Sequence, residues 1–157
     1  MRQIFRWNVV RWILLGILVV VVAIQFVPVQ RLNLPVEGEV PAPANVRTIL
    51  RRACYDCHSN ETVWPWYSHI APFSWLVARD VRSGREELNF STWNRITTKQ
   101  QVKKLKESWE EVAEGEMPPW FYLGIHRDAA LSAEDRKALR KWALSAAPEP
   151  AVPGEGE

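Results

Sequence analysis

Polar and apolar positions divide the chain into unequal parts. From Val9 to Val29 it reads VVRWILLGILVVVVAIQFVPV, with Arg11 the one charge and Gln25 the one amide. A run of about 20 residues that is apolar on every side suits the hydrocarbon layer of a bilayer, not the single buried face of a soluble helix. Residues 1–30 are therefore read as an N-terminal transmembrane anchor, meeting the lipid bilayer through residues 9–29. The rival is a cleaved secretory signal, which has a shorter apolar run and small residues at the cut. Here only Val21 and Ala23 offer such a cut, inside a run that continues past them. Residues 31–44, broken by Pro35, Pro41 and Pro43, predict an extended tether.

Beyond the tether the apolar spacing is helical. A first helix is predicted over 46–57, capped by Asn45, with Ile49, Leu50, Ala53 and Cys54 on related faces. A second covers about 71–83, with Pro72 in its first turn and Gly84 as its stop. Thr98 and Gln101 resemble a capping box for a third, which runs to about Ala113 with a stripe of Val102, Leu105, Trp109 and Val112. Ser132 with Asp135 caps a fourth, to about Ser145, with Leu139, Trp142 and Ala143 facing inward. No period-two strand pattern interrupts them. The fold class is all-α, with one domain over residues 45–146. The Pro-, Gly- and Glu-rich residues 147–157 predict a disordered tail.

Charge changes the picture once it is divided. The net charge of the 157 residues is +2, yet Arg2, Arg6, Arg11 and Arg31 all lie in the first 31 positions, where there is no acidic residue. By the positive-inside bias the N-terminus stays in the cytoplasm and residues 31–157 are exported. The expected location is the bacterial inner membrane, single-pass, with the C-terminal domain in the periplasm or extracytoplasmic space. The remainder from Leu32, with 16 basic and 18 acidic residues, gives no reason to expect nucleic-acid binding. The roughly 115 residues between anchor and tail allow one small core, which excludes a multidomain enzyme. A single apolar span excludes a polytopic transporter.

The two cysteines of the chain stand in Cys54-Tyr55-Asp56-Cys57-His58. This C-x-x-C-H spacing is the attachment signature of c-type haem. On a helix Cys54, Cys57 and His58 share one side, so two thiols can meet the two vinyl groups of one porphyrin edge while the imidazole rises beneath the iron. Three alternatives use the same atoms: a thioredoxin-type redox pair, which lacks its strand–helix context here; a zinc site, which lacks a second ligand cluster; and a structural disulfide. For a distal ligand, Met117 lies on a loop stiffened by Pro118 and Pro119, and Pro118 keeps Met117 out of the α region. A core-filling methionine is the plain alternative. His69 and His126 are the other candidates.

The stretches CYDCHSNETVWPWYSHIAPFSWLVARDV at 54–81, GEMPPWFYLGIH at 115–126 and LSAEDRKALRKWA at 131–143 resemble the small bacterial haem-binding-domain family of membrane-anchored monohaem c-type cytochromes. The resemblance covers about Asn45 to Trp142. It implies a small cytochrome c-like helical domain with one haem c covalently attached at Cys54 and Cys57, His58 as axial ligand and Met117 as the second. The expected function is a periplasmic c-type cytochrome that transfers single electrons to and from unknown redox partner proteins and is not itself an enzyme. A haem-based sensor or accessory subunit, and a peroxidase-like haem enzyme, are the rival classes.

Seven tryptophans in the domain suggest a dry aromatic wall around a porphyrin, or ordinary core rings. Arg47, Arg51 and Arg52 precede the motif, either as propionate or partner contacts or as a solvated helix face. Lys103 with Glu107, and Lys106 with Glu110, stand at i,i+4 and suit a surface helix, while a lysine patch near a haem edge would suit an acidic partner.

Overall fold

A computed structural model describes residues 2–145; the expected tail at 147–157 lies outside them. The architecture is all-helical, with no strand among the described residues. Helix α1 (Arg2–Ile24) contains the window Trp7–Ile24, long and apolar enough to cross a membrane. None of that window is buried by the rest of the chain. The helix ends at Ile24, short of the expected Val29, because Gln25 turns the chain onto the domain.

Helices α2 (Ala44–Ala53), α5 (Thr98–Glu114) and α7 (Ala133–Ser145) pack together as one lobe. Val46, Ile49 and Leu50 from α2 meet Leu105 and Val112 from α5 and Leu139, Trp142 and Ala143 from α7 in a continuous buried cluster. The predicted apolar stripes therefore face one another, though Trp109 is only partly buried. The second lobe packs the four-residue α3 (Tyr55–His58) against α4 (Phe73–Glu87). Phe90 and Tyr55 stack between the lobes with ring centroids 5.6 Å apart.

Several boundaries differ from expectation, each for a physical reason. The helix expected over 46–57 is two helices: Cys54 leaves helical geometry at φ −129° and ψ −34°, so α2 stops before it and α3 starts after it. Asn45 lies inside α2, with Pro43 at the cap position and no side-chain cap. Helix α4 passes through Gly84 to Glu87, so Gly84 is not a stop. The capping box of α5 is Thr97 with Gln100, one residue earlier than expected. The Ser132–Asp135 pair does cap α7: Asp135 N–H donates to Ser132 Oγ at 3.1 Å and Ser132 N–H to Asp135 Oδ2 at 3.0 Å. The short α6 (Trp120–Ile125), which follows Pro119, had no periodic signal long enough to read.

The segment expected to be a tether, 31–44, is extended but not free. Val40 is buried, its N–H donates to Phe90 O at 3.0 Å, and Gly38 makes an isolated parallel bridge with Thr92. Pro41 O accepts from Trp142 Nε1 at 3.0 Å. Proline interrupts helix here, but the backbone groups it leaves unpaired are satisfied by the domain rather than by water.

Candidate functional site

The C-x-x-C-H segment keeps a helical turn despite the break at Cys54. Cys54 O accepts the N–H of Cys57 at 3.2 Å and of His58 at 2.9 Å, so the two thiols and the imidazole remain on one turn. Both cysteines are free and half-buried. Burial pushes the Cys54 thiol up to about 12 and the Cys57 thiol up to about 11. A thioredoxin-type pair needs the opposite, a thiolate stabilised near neutral pH. Among the described residues no three His, Cys, Asp or Glu side chains converge on a cation site, which removes the support for a zinc alternative.

His58 is the most closely controlled side chain of the group. Its Nδ1 lies 2.9 Å from Gly84 O and 3.1 Å from Leu88 O, both at the C-terminal end of α4. Carbonyl oxygens only accept, so Nδ1 carries the proton and the neutral ring presents the Nε2 lone pair. Burial lowers the His58 pKa, and the two carbonyl bonds partly oppose the shift. A neutral imidazole with its other nitrogen donating to a backbone carbonyl is the form in which histidine binds a metal.

Gly84 explains how α4 comes so close. A Cβ there would sit 2.7 Å from the Cys57 carbonyl oxygen and 3.1 Å from Cys57 Cβ. Only glycine lets the two backbones approach to the distance at which Gly84 O reaches the His58 ring. A buried polar net secures the other side of the turn. His58 O accepts from Phe90 N, Ser59 Oγ donates to Tyr55 O, Asn60 N–H donates to Ser91 Oγ, and Arg85 Nε donates to Ser59 O. Of these features sequence reading marked only Gly84, and gave it a different role.

Met117 sits between the left-handed Gly115 (φ 86°) that ends α5 and the start of α6. It is half-buried and packs on the same apolar cluster as Cys54. Its loop is tied to the motif through the next helix: Tyr122 Oη donates to Asp56 Oδ2 at 2.8 Å, in the middle of C-x-x-C-H. Tyr122 stands in the aromatic run Trp120-Phe121-Tyr122 that follows Met117, but its bond to Asp56, 66 positions away, carries no local signal in the sequence.

The two other histidines have different surroundings. His126 Nε2 lies 2.7 Å from Tyr67 Oη, and its ring stacks on Tyr122 at 4.2 Å, so it is committed to the α6 anchorage. His69 is exposed and lines a pocket with Gln25 and Arg31 where the chain leaves α1. The arginines before the motif have protein partners. Arg51 pairs with Glu39 at 2.6 Å and lies over the Tyr55 ring, and Arg52 pairs with Asp135 at 2.7 Å. Lys103–Glu107 and Lys106–Glu110 are both paired at 3.4 Å, as a surface helix requires.

These residues fit a haem. The set offers two unpaired thiols, one imidazole with the correct nitrogen free, and one half-buried thioether. Trp64 Nε1, just beyond the motif, is a buried donor without a partner among the described residues. A buried N–H in that condition is costly unless a further acceptor satisfies it, and a haem propionate is such a group. A family model described as a haem-binding domain matches residues 19–145, most of the chain. No curated protein and no solved structure matches it.

Proposed function

The chain belongs to the haem-binding-domain family, and from that premise we propose that it is a membrane-anchored c-type cytochrome that passes single electrons outside the cytoplasm. The observation that carries this reading is the His58 ring, proton fixed on Nδ1 by two α4 carbonyls, beside two free thiols on the same turn. Cys54 and Cys57 would hold one haem by thioether bonds, His58 Nε2 would be the proximal ligand and Met117 the distal one. When bound, haem supplies a one-electron iron couple.

The protein's part is positional. Helix α4 fixes the tautomer and orientation of the imidazole, which leaves Nε2 as the atom that would face an iron. The Tyr122–Asp56 bond ties the Met117 loop to the motif. A thioether donor favours the reduced state and raises the potential. The aromatic and aliphatic packing around Tyr55 and Phe90 keeps water from the inner side of the turn. The α1 span confines the domain to the membrane plane and raises its concentration near membrane-bound donors and acceptors. We assign the domain to the outer side of the bacterial inner membrane on the arginine bias before the span.

The test is the optical spectrum of the full chain, matured with haem, in both oxidation states. A carrier gives a six-coordinate low-spin spectrum with a weak sulfur-to-iron band when oxidised. Met117→Ala should lose that band and move the iron towards high spin. A wild-type spectrum that is already high-spin, with rapid peroxide turnover, would replace the carrier by the enzyme reading.

A further inference from the structure

The domain is held at a defined height relative to the membrane span. Between Trp7, an indole that suits the headgroup level, and the end of α1 at Ile24 the helix rises about 27 Å at 1.5 Å per residue, close to the ~30 Å hydrocarbon core. Gln25, the next residue, therefore stands where hydrocarbon ends. Its amide makes a reciprocal pair with Ala71 of the domain: Ala71 N–H donates to Gln25 Oε1 at 2.9 Å, and Gln25 Nε2 donates to Ala71 O at 3.2 Å. From Arg31 onward the chain that follows is tied to the domain again. Arg31 donates to Ser68 O, Asn33 to Thr62 O, Asn60 to Pro35 O, and Val40 N–H to Phe90 O.

Apolar exposure in the domain is concentrated in two segments, one of which contains Ala71. Of the ten exposed large hydrophobic side chains between residues 45 and 145, eight lie in 66–76 and 120–125, while α2 and α5 have none. Ile70 and Phe73 flank Ala71 and are 44% and 56% exposed; Trp66 and Phe26 are 76% and 81% exposed. At 3.8 Å per Cα step, Ile70 and Phe73 lie within about 8 Å of Ala71. The interfacial layer on each side of the hydrocarbon is roughly 5–7 Å deep. Exposed aromatic and aliphatic side chains at this level are the kind that anchor in the headgroup region.

We infer that Phe26, Trp66, Ile70 and Phe73 form a lipid-contact surface that seats the domain on the bilayer, with Gln25–Ala71 as the clamp that sets its height. The inference rests on reading α1 as a membrane span. It turns the anchor from a leash into a rigid mount, so α4 and the C-x-x-C-H turn packed on it stay near the membrane surface. A donor or acceptor that moves within the membrane would then reach the site without a domain swing.

The test is photo-crosslinking of the full, haem-matured chain in nanodiscs of phosphatidylglycerol and phosphatidylethanolamine. p-Benzoylphenylalanine replaces Phe73, Leu18 within the span, or Lys103 on α5, which has no exposed large hydrophobic side chain, in three separate proteins. Mass spectrometry reads lipid adducts, and haem staining verifies folding in each. Adducts at 18 and 73, with the yield at 73 several-fold above that at 103, are expected. Gln25→Leu should lower the adduct at 73 and leave that at 18 unchanged. An adduct at 18 with position 73 no higher than 103 overturns the seated domain while the span reading stands. No adduct at 18 overturns the span reading and the inference with it. An adduct from 73 to haem or to the chain itself, in place of lipid, assigns the patch to the domain interior and overturns the lipid surface.

Discussion

Gly84→Ala separates two effects of opposite sign. Helix propensity alone favours alanine over an interior glycine by about 1 kcal/mol. The structure opposes it. The added methyl would meet Cys57 O at 2.7 Å, and restoring an ordinary 3.4 Å contact requires the α4 and α3 backbones to part by about 0.7 Å. The neighbour is backbone and cannot rotate away. Overpacking of that kind costs about 1–3 kcal/mol. The same displacement would stretch the 2.9 Å His58 Nδ1–Gly84 O bond to about 3.6 Å, beyond hydrogen-bonding reach, and forfeit another ~1 kcal/mol. The balance is a net loss of about 1–3 kcal/mol. Urea denaturation of the haem-free full chain in detergent, followed by helical circular dichroism, measures it. In the matured protein the variant should also shift the reduction potential, because His58 loses one of the two acceptors that orient it. A variant as stable as wild type or more so, with an unchanged potential, would refute the view that Gly84 exists for close approach.

Tyr122→Phe removes the bond to Asp56 and should cost about 1–2 kcal/mol while weakening the sulfur-to-iron band, since the Met117 loop loses its tie to the motif; an unaltered band would show that the loop holds itself. Asp135→Ala should cost about 1 kcal/mol by loss of the α7 cap, read by the same denaturation assay. Burial opposes ionisation of Asp135, but bonds from Ser132 and Arg52 outweigh it and hold the carboxyl below its ordinary 3.8. A lowered carboxyl stabilises the fold above pH 3.8 and loses that contribution as pH falls through the lowered value, so the variant should show a flatter acid limb than wild type.

Features carried by neighbouring residues were legible in the chain. The apolar run marked α1, the Ser132–Asp135 spacing marked the start of α7, and the C-x-x-C-H spacing marked residues that share one turn. What escaped depends on contacts distant in sequence. Nothing near Gly84 tells a helix stop from a helix contact; the distinction lies in Cys57, 27 positions away. Nothing in the proline-punctuated 31–44 says that its carbonyls and N–H groups are met by Phe90 and Trp142. The break at Cys54 is tertiary as well, since Tyr55 turns inward to stack on Phe90. The capping box shifted by one residue because Thr97 and Thr98 are adjacent and chemically equal, and only the backbone path chooses between them.

The central claim is that both thiols of Cys54-Tyr55-Asp56-Cys57-His58 carry one porphyrin. Its most direct measurement is the mass of the matured full chain after denaturation and washing in acidified acetone, together with the mass of the peptide spanning 54–58. The expected result is a chain heavier by one haem, with the addition mapped to that peptide and lost in Cys54→Ala/Cys57→Ala. An unmodified chain with the pigment recovered in the solvent would contradict it.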